Sequence, residues 1–175
     1  GIKNHALTFL GGNNGKIFRR IMNEENIEFS YIPTQNETRS ADLIIDKTSN
    51  NIDTHFESSE PNSEKEVSDF IFKLEKMIKN ISIVVFSGSS PCTEADIIFS
   101  EGIKLADKHD KIAVLDSYGD HLKNTLKSPP LVLHINKDEV ESSFGFSLNL
   151  ESDYLECLKY LNDTGIKLIF ITNGS

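Results

Sequence analysis

Two cysteines, Cys92 and Cys157, are all that the 175 residues contain, and no CxxC joins them. That excludes a disulfide scaffold and reads as two reduced thiols in a cytoplasmic setting. Positive charge is scarce too: 18 Lys and Arg face 27 Asp and Glu, a net charge of -9. No basic stripe is present for a phosphate backbone to follow, so nucleic acid is not an expected partner. A small anionic ligand is not excluded, because a site is built from local groups rather than from net charge. Long apolar runs are missing as well. None approaches the ~20 residues that a membrane-spanning helix needs, no signal-peptide pattern is visible, and no membrane partner is expected.

What the chain does have is 38% hydrophobic residues, enough for a core, arranged in short blocks. Apolar runs at 6–10, 81–86, 112–115, 131–133 and 168–171 read as strands. Between them, apolar residues recur at helical spacing: Ile17, Phe18, Ile21 and Met22; then Val67, Phe70, Ile71, Leu74 and Ile78; then Leu155, Leu158 and Leu161. Further helices are expected over 95–108, near 120–126 and over 137–144. Ser63 and Glu66 are spaced as a capping box that opens the second of these helices. Strands alternating with helices predict a parallel α/β sheet covered on both faces. Residues 27–57 break the rhythm with three strand-like segments in succession, which predicts a small β-lid. The expected division is a core of residues 1–26 and 58–175 with the lid at 27–57.

In open parallel α/β sheets, ligands bind beyond the carboxyl ends of the strands. Small or polar residues follow each strand here: Gly11-Gly12, Ser87-Gly88-Ser89-Ser90, Asp116-Ser117, His134 through Glu139, and Thr172-Asn173-Gly174. Small residues let backbone N–H groups approach a ligand, and helix N-termini favour anions. Together they suit a site that handles phosphate. Each also has a plain reading. The GGNNG at residues 11–15 could be only a tight turn, and it fails the dinucleotide fingerprint. The SGSSP could be a helix entry and Asp116 an Asx-turn residue. Asn136 and Glu139 have the spacing of an N-cap and its N3 partner. His134 has no second His or Cys at ligand spacing and reads as structural rather than metal-binding. Arg39 could be a solvated hairpin residue, or an arginine at the base of the lid that grips a phosphate.

The order FLGG-x-x-G, E-T-R, SGS-x-P, LDS-x-G, N-x-x-E and T-x-G resembles the PfkB carbohydrate kinases, in particular the branch of 1-phosphofructokinase and tagatose-6-phosphate kinase. The resemblance covers essentially the whole chain. It implies a ribokinase-like three-layer αβα sandwich with a small β-sheet lid, here incomplete. It also implies transfer of the ATP γ-phosphoryl group, with magnesium, to fructose 1-phosphate, fructose 6-phosphate or tagatose 6-phosphate. On this resemblance Gly11, Gly12, Arg39, Gly88 and Ser89 bind the sugar phosphate. His134, Asn136, Glu139, Thr172 and Gly174 serve the nucleotide, with Asn136 and Glu139 meeting magnesium through water.

The sequence departs from the family pattern at several positions. His134 stands where a lysine is usual, Ile135 where a proline is, and Cys92-Thr93 where a glycine is common. Ala41 stands where the branch often has an asparagine. The resemblance places the general-base aspartate beyond Ser175, so no catalytic base is assigned and the chain alone is expected to be inactive. The alternative is a non-catalytic relative that binds a sugar phosphate or nucleotide, or serves as an interaction partner. Exposed strand edges predict self-association, for which a homodimer through the lid is the expected form.

Overall fold

The computed structural model describes residues 3–46, 48, 51–58 and 60–173, with only the backbone described at Asn51 and Ile52. The chain forms two units, residues 1–70 and 71–175.

In the first unit, β1 (Ala6–Gly11) leads directly into α1 (Gly12–Glu24), and β2 (Phe29–Thr34) pairs in parallel with β1. A parallel pair needs a crossover of a dozen or so residues, and α1 supplies it. β3 (Ala41–Asp46) and β4 (Asn51–Phe56) form a separate antiparallel hairpin. The segment read as the first of three lid strands is therefore placed differently. Its register runs from Ala6 opposite Phe29 to Gly11 opposite Thr34, so it belongs with β1. Alternation along one segment does not say which strand it will pair with. Leu10, Met22, Ile32 and Val67 are buried, and the Phe9 and Phe70 rings meet at 4.7 Å. Ile17, Phe18 and Ile21 of α1 are exposed despite their helical spacing.

The helix α2 (Glu64–Ile78) contains the boundary between the units. The expected capping box opens it: the Ser63 N–H donates to Glu66 Oε2 at 2.8 Å, and the Glu66 N–H donates back to Ser63 Oγ at 3.3 Å. Glu66 also accepts from the Gln35 N–H at 2.8 Å. Burial alone would raise the Glu66 carboxyl, but these N–H donors outweigh it and hold it below the usual carboxylate range.

The second unit is a parallel sheet in the order β5 (Ile83–Ser87), β6 (Ile112–Asp116), β7 (Val132–Asn136), β8 (Leu168–Thr172). The connecting helices are α3 (Ile97–Lys108), α4 (Leu122–Thr125), α5 (Lys137–Phe144) and α6 (Glu151–Asp163). Sequential order combined with right-handed crossovers places every connecting helix on one face. Val84, Phe86, Ala113, Leu115, Leu133 and Ile135 are buried on that face, and α3 comes so close at Gly102 that a Cβ there would strike the Phe86 ring.

Among the described residues, the opposite face of this sheet differs from the expectation of cover on both sides. Ile83, Val85, Ile112, Leu168 and Phe170 lie in neighbouring register and are all exposed, Val85 by 59% and Phe170 by 54%. Continuous apolar strands are the pattern of a sheet with two covered faces. The strand order determines which of them this unit's own helices can cover.

Candidate functional site

The uncovered face turns polar at its carboxyl edge. Register aligns Ser87, Asp116 and His134 across three strands, and Asn136 with Thr172 across the next pair. The side chains connect. Ser87 Oγ donates to Asp116 Oδ2 at 3.4 Å, Asp116 Oδ1 lies 3.0 Å from His134 Nδ1, and His134 Nε2 lies 3.5 Å from Thr172 Oγ1. A carboxylate only accepts, so His134 Nδ1 carries the hydrogen, and Nε2 is directed toward Thr172. Asp116 and His134 are partly exposed, as a group that meets a ligand must be.

Asn136 ends β7 and caps α5. Its Oδ1 accepts from the Glu139 N–H and Glu139 Oε2 accepts from the Asn136 N–H, both at 2.9 Å. The capping reading of this pair is thus realised in full. It uses one oxygen of each side chain and leaves Asn136 Nδ2 and Glu139 Oε1 outside the box. The first turn of α5 also carries Asp138.

The loop after β5 begins at Gly88, whose φ of +91° lies in the region that favours glycine. Nothing lies within 4 Å of where its Cβ would be. Ser90 Oγ donates to the Cys92 carbonyl at 2.7 Å, shaping the approach to a short 3₁₀ turn at Thr93–Ala95.

In the first unit, Gly11 and Gly12 pack against the E-T-R loop. The Gly11 N–H donates to Thr38 Oγ1 at 2.9 Å, and the Thr38 N–H donates back to the Gly11 carbonyl at 3.1 Å. Asn14 Nδ2 donates to the Thr38 carbonyl at 2.9 Å. Side chains at either glycine would collide with this loop, Gly11 against Asn36 and Thr34, Gly12 against the Glu37 carboxylate. Glu37 Oε1 also accepts from the Asn14 N–H at 2.5 Å, so the amino end of α1 already holds a carboxylate. The tight-turn reading of GGNNG accounts for these contacts. Arg39 is exposed, with its guanidinium 5.0 Å from the centroid of the Phe56 ring.

Of the residues singled out in the sequence, Gly88, Ser89, His134, Asn136, Glu139 and Thr172 all belong to the carboxyl edge of the β5–β8 sheet. Gly11, Gly12 and Arg39 belong to the first unit, and Gly174 lies outside the described residues. Asp116 was legible as one of the polar strand ends, with a turn residue as its plain reading, but not as the partner of His134. Its role as the partner of His134 follows from strand adjacency, and the available signal was that both residues sit at strand ends. Among the described residues, no three His, Cys, Asp or Glu side chains gather to ligate a metal. The oxygens present suit magnesium held through water and phosphate rather than by a protein cage. Also among the described residues, no helix is long and apolar enough to cross a membrane.

The model of the pfkB family of carbohydrate kinases matches residues 1–175. A 1-phosphofructokinase of Borreliella burgdorferi is 26% identical over 170 residues, covering 97% of this chain and 54% of that protein. Among solved structures, a protein described as a possible 1-phosphofructokinase from Thermotoga maritima superposes with a TM-score of 0.84 at 21% identity, covering 96% of this chain and 54% of that one. Phosphofructokinase-2 of Escherichia coli in complex with fructose-6-phosphate superposes with a TM-score of 0.80 at 19% identity, covering 97% and 56%. The chain therefore spans about half the length of these relatives. The fold is α/β and ribokinase-like, in incomplete form.

Proposed function

Because this chain belongs to the pfkB family of carbohydrate kinases, we propose that it is the part of a hexose-phosphate kinase that binds magnesium-ATP and helps to hold a phosphorylated ketohexose. The candidates are fructose 1-phosphate, fructose 6-phosphate and tagatose 6-phosphate. The observation that carries this reading is the Asn136–Glu139 pair, fixed at the end of β7 beside the row of Asp116, His134 and Thr172.

Transfer of a phosphoryl group asks a protein mainly for positioning and for compensation of charge. His134, Asn136, Glu139, Thr172 and Gly174 are assigned to the nucleotide. Asn136 and Glu139 would serve magnesium indirectly, with the atoms outside the capping box: Glu139 Oε1 would accept from its waters, and Asn136 Nδ2, a donor, would meet the phosphate oxygens that ligate it. When bound, magnesium neutralises charge on the transferring phosphate. His134 takes the place of the family's lysine, and the Asp116 carboxylate fixes which of its nitrogens is directed away from β6. Gly11, Gly12, Arg39, Gly88 and Ser89 are assigned to the sugar phosphate, and the β3–β4 hairpin to the lid. Among the described residues neither Cys92 nor Cys157 is in a disulfide, which is in keeping with a cytoplasmic setting.

The general-base aspartate is assigned to the family segment past residue 175, so binding without turnover is the expected behaviour of the 175-residue chain. The test is calorimetric titration with magnesium-ADP and with each sugar phosphate, run beside a phosphoryl-transfer assay. Binding that weakens in Asn136→Ala supports the reading. Absence of binding by either ligand class overturns it. Turnover that Asn136→Ala abolishes would overturn the placement of the base while keeping the kinase.

A further inference from the structure

The loop assigned to the sugar phosphate is held from below by a buried relay. Both backbone polar groups of Gly88 are taken by the end of β6. Its N–H donates to the Asp116 carbonyl at 3.0 Å, and its carbonyl accepts from the Ser117 hydroxyl at 2.7 Å. Ser117 Oγ lies 3.0 Å from His121 Nε2. A serine hydroxyl has one hydrogen to give, and a carbonyl can only accept. Ser117 therefore gives its hydrogen to Gly88, and His121 Nε2 must carry the hydrogen that it shares with Ser117. The direction runs from His121 through Ser117 to Gly88.

This relay is built into the core. Ser117 is 2% exposed and His121 7%. The His121 ring stacks on Phe99 of α3 with centroids 4.4 Å apart. Gly88 itself has open space where a side chain would be, so packing does not hold it. A trans peptide is planar, so fixing the Gly88 carbonyl fixes the Gly88–Ser89 peptide and turns the Ser89 N–H away from Ser117. A glycine at positive φ has many other conformations available. Holding it in one conformation removes an ordering cost that the ligand would otherwise meet on binding.

We propose that Ser117 and His121 are positioning residues for the sugar phosphate, acting through the Gly88–Ser89 peptide. The proposal rests on the assignment of Gly88 and Ser89 to that substrate. Neither side chain touches the ligand. Ser117 sets the peptide plane, and His121 sets the direction of the Ser117 hydroxyl.

The test uses the 175-residue chain and three measurements. Calorimetry with fructose 6-phosphate, fructose 1-phosphate and tagatose 6-phosphate is run on the wild type, Ser117→Ala, Ser117→Thr and His121→Gln, each beside magnesium-ADP. Losing one hydrogen bond corresponds to about a five- to tenfold weakening. Ser117→Ala is expected to weaken sugar-phosphate binding by about that factor, with magnesium-ADP within about twofold. Ser117→Thr, which keeps the hydroxyl, and His121→Gln, which keeps an N–H donor, are expected to retain most of the binding. Nitrogen NMR of the imidazole is expected to show the hydrogen on Nε2 of His121, and the Gly88 and Ser89 amides are expected to shift and broaden in Ser117→Ala.

Equal sugar-phosphate affinity in wild type and Ser117→Ala overturns the proposal and leaves the assignment of the loop standing. Hydrogen on Nδ1 alone overturns the relay whatever the ligand does. A wild type that binds magnesium-ADP but no sugar phosphate overturns the loop assignment, and this proposal with it. If Ser117→Ala fails to fold, His121→Phe, which keeps a ring against Phe99 but donates no hydrogen, takes its place: sugar-phosphate binding weaker than in His121→Gln, with magnesium-ADP unchanged, supports the proposal, and equal binding overturns it.

Discussion

Asn136 and Glu139 close each other's backbone: the amide oxygen of one takes the N–H of the other, and the carboxylate returns the bond, both at 2.9 Å. The pair is a structural device at the end of a strand and the candidate organiser of magnesium and nucleotide. These roles use different atoms, so they can be separated. Asn136→Ala removes the cap and is expected to cost ~1 kcal/mol, read as a fall in Tm of about 2–4 °C for a chain of this size. Asn136→Ser keeps an oxygen that can cap and is expected to hold Tm within about a degree. It loses the Nδ2 group, and magnesium-ADP binding is expected to weaken as much as in Asn136→Ala. If both variants bind nucleotide like the wild type, the pair is a cap and nothing more.

The capping pair was legible because its signal is local, three residues apart on one helix. So was Ser63 with Glu66. The Asp116–His134 pair was not, although both residues stood out as strand ends. Their meeting depends on β6 lying beside β7, and strand order is not written in any single segment. The same applies to Phe29–Thr34. Its own alternation predicted a strand, and only pairing with β1 removed it from the lid. The apolar positions of β5 and β8 predicted burial on both faces. The order of strands left one of those faces without a helix from this unit.

His121 gives the relay a pH dependence. Burial holds its imidazole below the ordinary histidine value, while the Asp96 and Asp120 carboxylates oppose that shift. The folded state therefore binds this proton less readily than the unfolded chain. Stability is fully present above the unfolded value, about 6.5, and declines as pH falls from there through the lowered folded value. Chemical denaturation between about pH 7.5 and 5 is expected to show this decline, with a shallower slope in His121→Gln. An identical slope in the variant would assign the decline to other groups.

The two thiols are expected to behave differently. Cys157 is buried in the second unit, and burial pushes its thiol up to about 11. Cys92 is partly exposed in the loop after β5. The thiolate is the reacting form, so a disulfide reagent near pH 8 is expected to modify Cys92 quickly and Cys157 only at the rate of unfolding. Mass spectrometry after brief labelling checks this. Equal labelling of both residues under native conditions would show that the core around Cys157 opens far more readily than its packing implies.

The hairpin of β3 and β4 carries apolar side chains that stay exposed among the described residues, Phe56 beneath the Arg39 guanidinium included. Leu43, Ile44 and Ile45 are each more than half exposed, as is Phe56. Side chains alternate along a strand, so Leu43 and Ile45 share one face and Ile44 takes the other. Apolar residues grouped in this way mark a contact surface or an aggregation hazard. The homodimer expected through the lid would use the Leu43 and Ile45 face. Light scattering over a range of concentrations is expected to show association of the wild type and its loss in the double variant Leu43→Lys with Ile45→Lys. Substitutions at exposed positions change stability by only about 0.5 kcal/mol, so the variant is expected to keep the wild-type Tm. Ile44→Lys alone, on the opposite face, is expected to associate as the wild type does. If all three proteins show the same mass, the hairpin is not the interface, and the exposed face of the β5–β8 sheet becomes the surface to substitute next.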